Sequence, residues 1–140
     1  MNANKKKRIY LVLIIGFCAS ISFAQEKVTQ VIYFDSDWVK TSTEDDALYS
    51  RTITFYENDL HHPVGLVKDY YLESGNLQWE GEYSYYDIDN EDNNKEQGLS
   101  TWYYENGEKS YQCQYNEKGE IFGLLKYWYE NGKLLVTYEY

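Results

Sequence analysis

The sequence predicts an all-β fold, an elongated meander of consecutive antiparallel β-hairpins, on three observations. The last third is written nearly twice, first as GLSTWYYENGEKSYQCQY from Gly98 and then as GLLKYWYENGKLLVTYEY from Gly123. Gly98 and Gly123 are 25 residues apart, as are Gly107 and Gly132, and a fixed period of this size marks a repeat that buries its faces against its neighbours. Each copy places an aromatic, β-favouring run before Glu-Asn-Gly, a turn signal followed by a run able to pair back. Upstream, Tyr49, Arg51, Ile53 and Phe55 alternate with Ser50, Thr52, Thr54 and Tyr56, the period of a strand.

Within the two copies, Trp102-Tyr103-Tyr104 and Tyr127-Trp128-Tyr129 are the outgoing strands. Asn106-Gly107 and Asn131-Gly132 suit two-residue type I′ turns, which need positive φ at both central residues. That register sets Glu105 opposite Glu108, Tyr104 opposite Lys109 and Trp102 opposite Tyr111. In the last copy it sets Glu130 opposite Lys133, Tyr129 opposite Leu134 and Trp128 opposite Leu135. The first acidic pair is unfavourable and the Glu130–Lys133 pair favourable, each by about 0.2–1 kcal/mol. Between the copies, Asn116 to Gly119 reads as a longer hairpin loop with Gly119 in the left-handed position.

A third copy lies upstream. Val64 to Tyr71 leads into Leu72-Glu73-Ser74-Gly75, and Asn76 to Tyr83 returns. Its glycine-to-glycine span is one residue longer, so its turn is expected to be longer too. Gly75 and Gly107 are 32 residues apart, because a polar insert after Tyr83 lengthens the link.

The shared pattern is a glycine, four residues, two aromatics, then a turn glycine followed by a strand ending in Tyr. It is carried by Gly65/Tyr70/Tyr71/Gly75, Gly98/Tyr103/Tyr104/Gly107 and Gly123/Trp128/Tyr129/Gly132. This pattern resembles the MORN-variant repeats of the YwqK-type antitoxin family, over about Val64 to Tyr140. The resemblance implies strings of β-hairpins and, for named members, neutralisation of a toxin. One departure bears on that role: the chain opens with an export signal, which an antitoxin for a cytoplasmic toxin does not need.

That signal is residues 1–24. Lys5-Lys6-Lys7-Arg8 form a basic region, Ile9 to Phe17 an apolar core, and Ser22-Phe23-Ala24 a small-residue cleavage site. The apolar stretch is shorter than the ~20 residues of a membrane span. Cleavage after Ala24 is therefore expected, rather than a retained anchor or a lipid on Cys18, which Phe17 disfavours. The expected location is the periplasm, cell envelope or exterior, with no stable membrane insertion after cleavage.

Beyond Ala24 the chain holds nine basic against 23 acidic residues, a formal charge of −14. An acidic surface repels nucleic-acid phosphates and anionic headgroups and steers towards a basic protein or a cation. It also keeps an aromatic-rich sheet soluble. No disulfide within the mature chain is expected, since Cys113 is then alone. Cys113 shares a strand face with Tyr111 and Tyr115, which suits a buried inert thiol, with an interchain disulfide as the alternative.

Residues 25–63 read as strands of a degenerate repeat or cap. Val28 to Phe34 is one, Trp38-Val39-Lys40 begins another, Thr41 to Asp46 is polar loop, and Tyr49 to Tyr56 is a further strand before the turn at Glu57-Asn58-Asp59. His61-His62-Pro63 has at most one histidine on the side of Asp59 and no third ligand, so it reads as a surface loop. Asp87, Asp89 and Glu91 are spaced like the first ligands of a calcium loop. Asp92 replaces the required glycine, and Gly98 stands where the closing acidic residue belongs. The stretch 87–97 thus reads as a solvated acidic loop between hairpins.

Strict alternation places Trp102, Tyr104, Tyr127 and Tyr129 on one face, with Tyr103 and Trp128 on the other. These side chains serve either as core, stacking along successive hairpins, or as an exposed surface for a protein or a glycan. No phosphate loop, nucleophile elbow, dinucleotide fingerprint or clustered Cys/His set is present, and the sequence predicts neither an enzyme nor a cofactor or metal site. The reading it favours is an exported repeat protein that binds a protein partner, in its sharpest version a basic toxin. Tyr70, Tyr71, Trp102, Tyr103, Tyr104, Tyr127, Trp128 and Tyr129 are the expected contact residues, and Gly75, Gly107, Gly119 and Gly132 the structural turns. Two alternatives are a structural envelope protein that self-associates through its sheet edges, and a glycan-binding module.

Overall fold

The computed structural model describes residues 25–140; the expected export signal lies outside them. Eight strands follow one another in a single open antiparallel sheet whose spatial order is their chain order. They are β1 (Lys27–Phe34), β2 (Tyr49–Tyr56), β3 (Val67–Tyr71), β4 (Leu77–Tyr85), β5 (Lys95–Tyr103), β6 (Lys109–Tyr115), β7 (Ile121–Trp128) and β8 (Leu134–Glu139). The fold is an all-β meander. Residues 25–63 supply β1 and β2, so β1 forms one edge of the sheet and β8 the other. Trp38-Val39-Lys40 is not a strand: only Lys40 makes an isolated bridge, to Phe34.

The Asn-Gly turns differ from the expected type I′. Gly107 is left-handed at φ 85°, but Asn106 is not. The Gly107 N–H donates to the Tyr104 carbonyl (2.9 Å) and the Tyr104 N–H to the Glu108 carbonyl (2.8 Å). This is a three-residue loop closed by a bulge at glycine. Asn106 Oδ1 accepts from the Glu108 N–H at 3.0 Å, so the asparagine stabilises the turn through its side chain and needs no positive φ. Gly132 and Gly119 repeat the arrangement. At Gly75 the loop is one residue longer, as its spacing required, with the Tyr71 N–H reaching the Asn76 carbonyl.

The bulge shifts the register next to each turn. Trp102 still faces Tyr111, but Tyr103 rather than Tyr104 pairs with Lys109. Trp128 pairs with Leu134 rather than Leu135. Neither Glu105–Glu108 nor Glu130–Lys133 is a cross-strand pair; Tyr104 meets Glu108 and Tyr129 meets Lys133.

Successive hairpins are tied together by side chains that donate to the next turn. Tyr71 Oη donates to the Tyr103 carbonyl at 2.9 Å, and Tyr104 Oη to the Trp128 carbonyl at 2.7 Å. Asn76 Nδ2 reaches the Glu105 carbonyl and Asn106 Nδ2 the Glu130 carbonyl, at 2.7 and 2.8 Å. The acceptors occupy equivalent positions in the repeats.

Burial falls along the chain. Ile53, Phe55, Val67, Trp79, Tyr83 and Tyr86 form a closed core on one face of β2–β4. Tyr86, from the loop after β4, is itself completely buried there. Apart from Val136, which is partly buried, β8 is exposed along its whole length.

Candidate functional site

The inward face of β2 carries a charge where its alternation asks for apolar residues. Arg51 lies between Tyr49 and Ile53 and is 6% exposed, beside Asp69 of β3 at 2%. Arg51 Nε and Nη2 each donate to Asp69 at 2.8 Å, and Nη1 donates to Glu91 at 2.9 Å. A buried ion pair tolerates its desolvation only with such bidentate geometry and further partners. The rings of Phe34, Trp79, Tyr83 and Tyr86 surround the guanidinium, with centroids 5.2–5.8 Å from its carbon, within cation–π range. Burial works to lower the Arg51 pKa, but the hydrogen-bonded Asp69 charge outweighs it and raises the value. For Asp69 burial raises the pKa, and Arg51 opposes the rise.

Glu91 is therefore a clamp on Arg51. It also accepts from Tyr86 Oη at 3.0 Å and pairs with Lys40 at 3.3 Å. Asp87 caps its own loop, accepting from the Asp89 and Asn90 N–H groups and from Asn93 Nδ2, and the Asn93 contact leads in holding its pKa low. The expected solvated loop 87–97 is thus shorter and partly folded inward, because β5 begins at Lys95 and Glu91 reaches Arg51. His62 Nδ1 lies 2.9 Å from Asp59, while His61 stacks on Tyr85, ring centroids 5.2 Å apart. Among the described residues no group of three His, Cys, Asp or Glu side chains converges.

From this centre an aromatic ribbon crosses the sheet. Trp79, Trp102, Tyr111, Tyr127 and Tyr138 follow one another on β4 to β8 with centroid spacings of 6.1, 4.7, 4.8 and 6.3 Å. Trp79 is buried, the next three are half-buried, and Tyr138 is 53% exposed. Cys113 lies fully buried within the same face, between Tyr111 and Tyr115, and burial pushes its thiol pKa up.

The expected contact residues divide. Trp102 and Tyr127 belong to the ribbon. Tyr71 and Tyr104 are committed to the inter-hairpin bonds, and Tyr104 lies past the end of β5 with its hydroxyl on the Trp128 carbonyl. Tyr103 lies on the opposite face, where its hydroxyl donates to Glu80 at 2.8 Å. Burial first, and Glu80 second, push its pKa up to about 12. Trp128 is on that face too, with the Lys109 ammonium 5.9 Å from its ring centroid. Tyr70 is half-buried on β3, and Tyr129 is 51% exposed beside its turn.

Beside the buried ion pair, a cleft of about 180 Å³ is lined by Trp38, Gln78, Trp79, Glu96 and Trp102, with Arg51 and Asp69 at its base. Trp38 comes from the β1–β2 loop and is the one non-glycine with positive φ among the described residues, at 59°. Asp35 Oδ1 holds that loop by accepting from the Asp37 and Val39 N–H groups, and the Trp38 ring stacks on Tyr49 at 4.6 Å. Glu96 accepts from Ser100 Oγ at 3.1 Å, and burial raises its pKa. Sequence reasoning missed this cluster. Its one legible sign was Arg51, a charge on an otherwise apolar strand face.

No family model, no curated protein and no solved structure matches the chain.

Proposed function

We propose that the chain is an exported, non-enzymatic repeat module that binds a basic protein partner through the ribbon face of β5–β8. The observation that carries this reading is the half-exposed row Trp102–Tyr111–Tyr127–Tyr138, over which no second layer lies among the described residues. Large rings with polar tips contribute contact area at low conformational cost, which is why they concentrate in interfaces. The formal charge of −14 beyond Ala24 supports a basic partner, since complementary charge speeds encounter and selects against acidic competitors. The resemblance to MORN-variant repeats of antitoxin type supports masking of a basic toxin as the sharpest form of the reading.

The test is affinity capture from the envelope fraction of the native organism at low and at high salt. One stoichiometric basic partner, released at high salt and lost with Tyr127→Ala, is the expected result. Failure to retain any partner at either salt overturns it. A second reading, self-association, is favoured by the uncovered β8, whose Leu134, Leu135 and Tyr138 are each about half exposed. A molecular mass that rises with concentration would select it.

A further inference from the structure

We propose that a strand of the basic partner docks along the free edge of β8 as a ninth strand of the sheet, an assignment that rests on the partner-binding reading above. The two edges of the sheet are finished differently. At β1 the following loop folds back over the edge: the Thr41 N–H donates to the Tyr33 carbonyl at 3.0 Å, and Lys40 bridges Phe34. β8 has no such cover. Its residues Leu134–Glu139 include no proline and no lysine, the residues that commonly keep an edge from pairing. Gly123 and Tyr140 exchange both backbone bonds, at 3.0 and 2.9 Å. Alternation along the antiparallel pair then turns the N–H and C=O groups of Thr137 and Glu139 away from β7. These are the groups an added strand takes.

The repeat itself specifies what comes next. Tyr71 and Asn76 of one hairpin donate to the Tyr103 and Glu105 carbonyls of the following one. Tyr104 and Asn106 donate in the same way to the Trp128 and Glu130 carbonyls. Tyr129 and Asn131 hold these places in the last hairpin, and both are exposed. Asn131 makes only its own turn's bond, Oδ1 accepting from the Lys133 N–H. Among the described residues neither Tyr129 Oη nor Asn131 Nδ2 has an acceptor. In the earlier hairpins one acceptor lies at the end of a strand running as β7 runs, and the other lies two residues beyond, in the turn. The occupant is therefore a strand antiparallel to β8 that ends in a turn beside Asn131.

A second copy of the chain meets this requirement poorly. Its β8, laid antiparallel, carries its own turn to the far end and leaves Tyr129 and Asn131 unmet. Its β1 is covered by Lys40 and Thr41 at the end where the pairing has to finish. Two chains of formal charge −14 beyond Ala24 also repel, whereas a basic strand is attracted. Beside Tyr138, 53% exposed at the end of the ribbon, such a strand extends the aromatic row.

The test titrates the protein with a hairpin peptide carrying the sequence of residues 121–139, the repeat unit itself, with Glu130→Lys and Glu139→Lys. Saturable, salt-sensitive binding is expected, with slowed amide hydrogen exchange at Thr137 and Glu139. The unaltered peptide, with Lys126 and Lys133 balanced by Glu130 and Glu139, is expected to bind more weakly. In the protein, Thr137→Pro removes an outward N–H and spares the bonds to β7; it should weaken binding at least about tenfold. Thr137→Val keeps that N–H and should leave binding unchanged. Tyr129→Phe should weaken it about twofold to tenfold, the loss of one hydrogen bond. Circular dichroism of each variant separates loss of binding from loss of fold. No saturable binding overturns the proposal, as does binding without slowed exchange at Thr137 and Glu139. Slowed exchange there without peptide, with a mass that rises with concentration, gives the edge to a second copy and overturns it as well. Envelope capture of a basic protein that survives Thr137→Pro but is lost with Tyr127→Ala overturns the edge assignment alone; no captured partner overturns the reading beneath it too.

Discussion

The Tyr104 hydroxyl donates to the Trp128 carbonyl at 2.7 Å, and Tyr71 makes the equivalent bond to Tyr103 one hairpin earlier. A side chain of each repeat thus closes on the backbone of the next, turning a 25-residue sequence period into a mechanical link. Tyr129 holds the same position in the last repeat and is half exposed. Tyr104→Phe should cost about 0.5–1.5 kcal/mol, and Tyr129→Phe close to nothing. Urea unfolding of the two variants checks the contrast; equal costs would mean that the bond does not couple the hairpins.

Arg51 and Asp69 are more consequential. Arg51→Met leaves a buried carboxylate without its partner, and a cost of about 3–5 kcal/mol follows. Replacing both, as Arg51→Met with Asp69→Leu, should recover most of that loss, because no unpaired charge remains at Asp69. A double-mutant cycle by chemical denaturation measures the coupling. A single substitution costing less than about 1 kcal/mol would show that water reaches the pair.

Gly81 is set by proximity, not by backbone angle. A Cβ there would lie 2.4 Å from Trp79 Cζ2 and 2.6 Å from Ser100 Oγ. Gly81→Ala must displace an indole that forms the core, at about 1–3 kcal/mol. The change should appear both in the denaturation midpoint and in the tryptophan emission. An unshifted spectrum with unchanged stability would contradict the close approach.

Glu96 makes stability depend on pH. Burial raises its folded pKa above the unfolded value of about 4.3. The folded state then holds the proton more tightly, so its advantage is present below the unfolded pKa and is lost as pH rises through the folded one. Glu96→Gln removes that loss. The variant should melt higher than the parent at pH 7, with the gap closing near pH 4. A gap independent of pH would assign the effect to something other than ionisation.

Much of the architecture was legible in local pattern. The 25-residue period, the aromatic runs and the glycines at 75, 107, 119 and 132 placed the hairpins, because turn chemistry and strand alternation act over a few residues. The same local reasoning misjudged the Asn-Gly loops. Asparagine's choice between left-handed backbone and side-chain capping depends on the partner across the turn, here the Glu108 N–H and the Glu130 carbonyl. That one-residue difference moved Lys109 from Tyr104 to Tyr103 and set Tyr104 opposite Glu108.

By itself, then, the sequence determined the all-β class, the meander order and the acidic balance, since these follow from composition, period and nearest-neighbour chemistry. Only the tertiary structure decided that Arg51, Asp69 and Glu91 meet, that Tyr86 folds into the core, and that three tryptophans come to line one open cleft. Arg51 and Glu91 are 40 residues apart in the chain, and no periodicity specifies such a meeting. It arises because the loop after β4 folds back over the open sheet face and buries Tyr86 there, drawing carboxylates to the charge it covers.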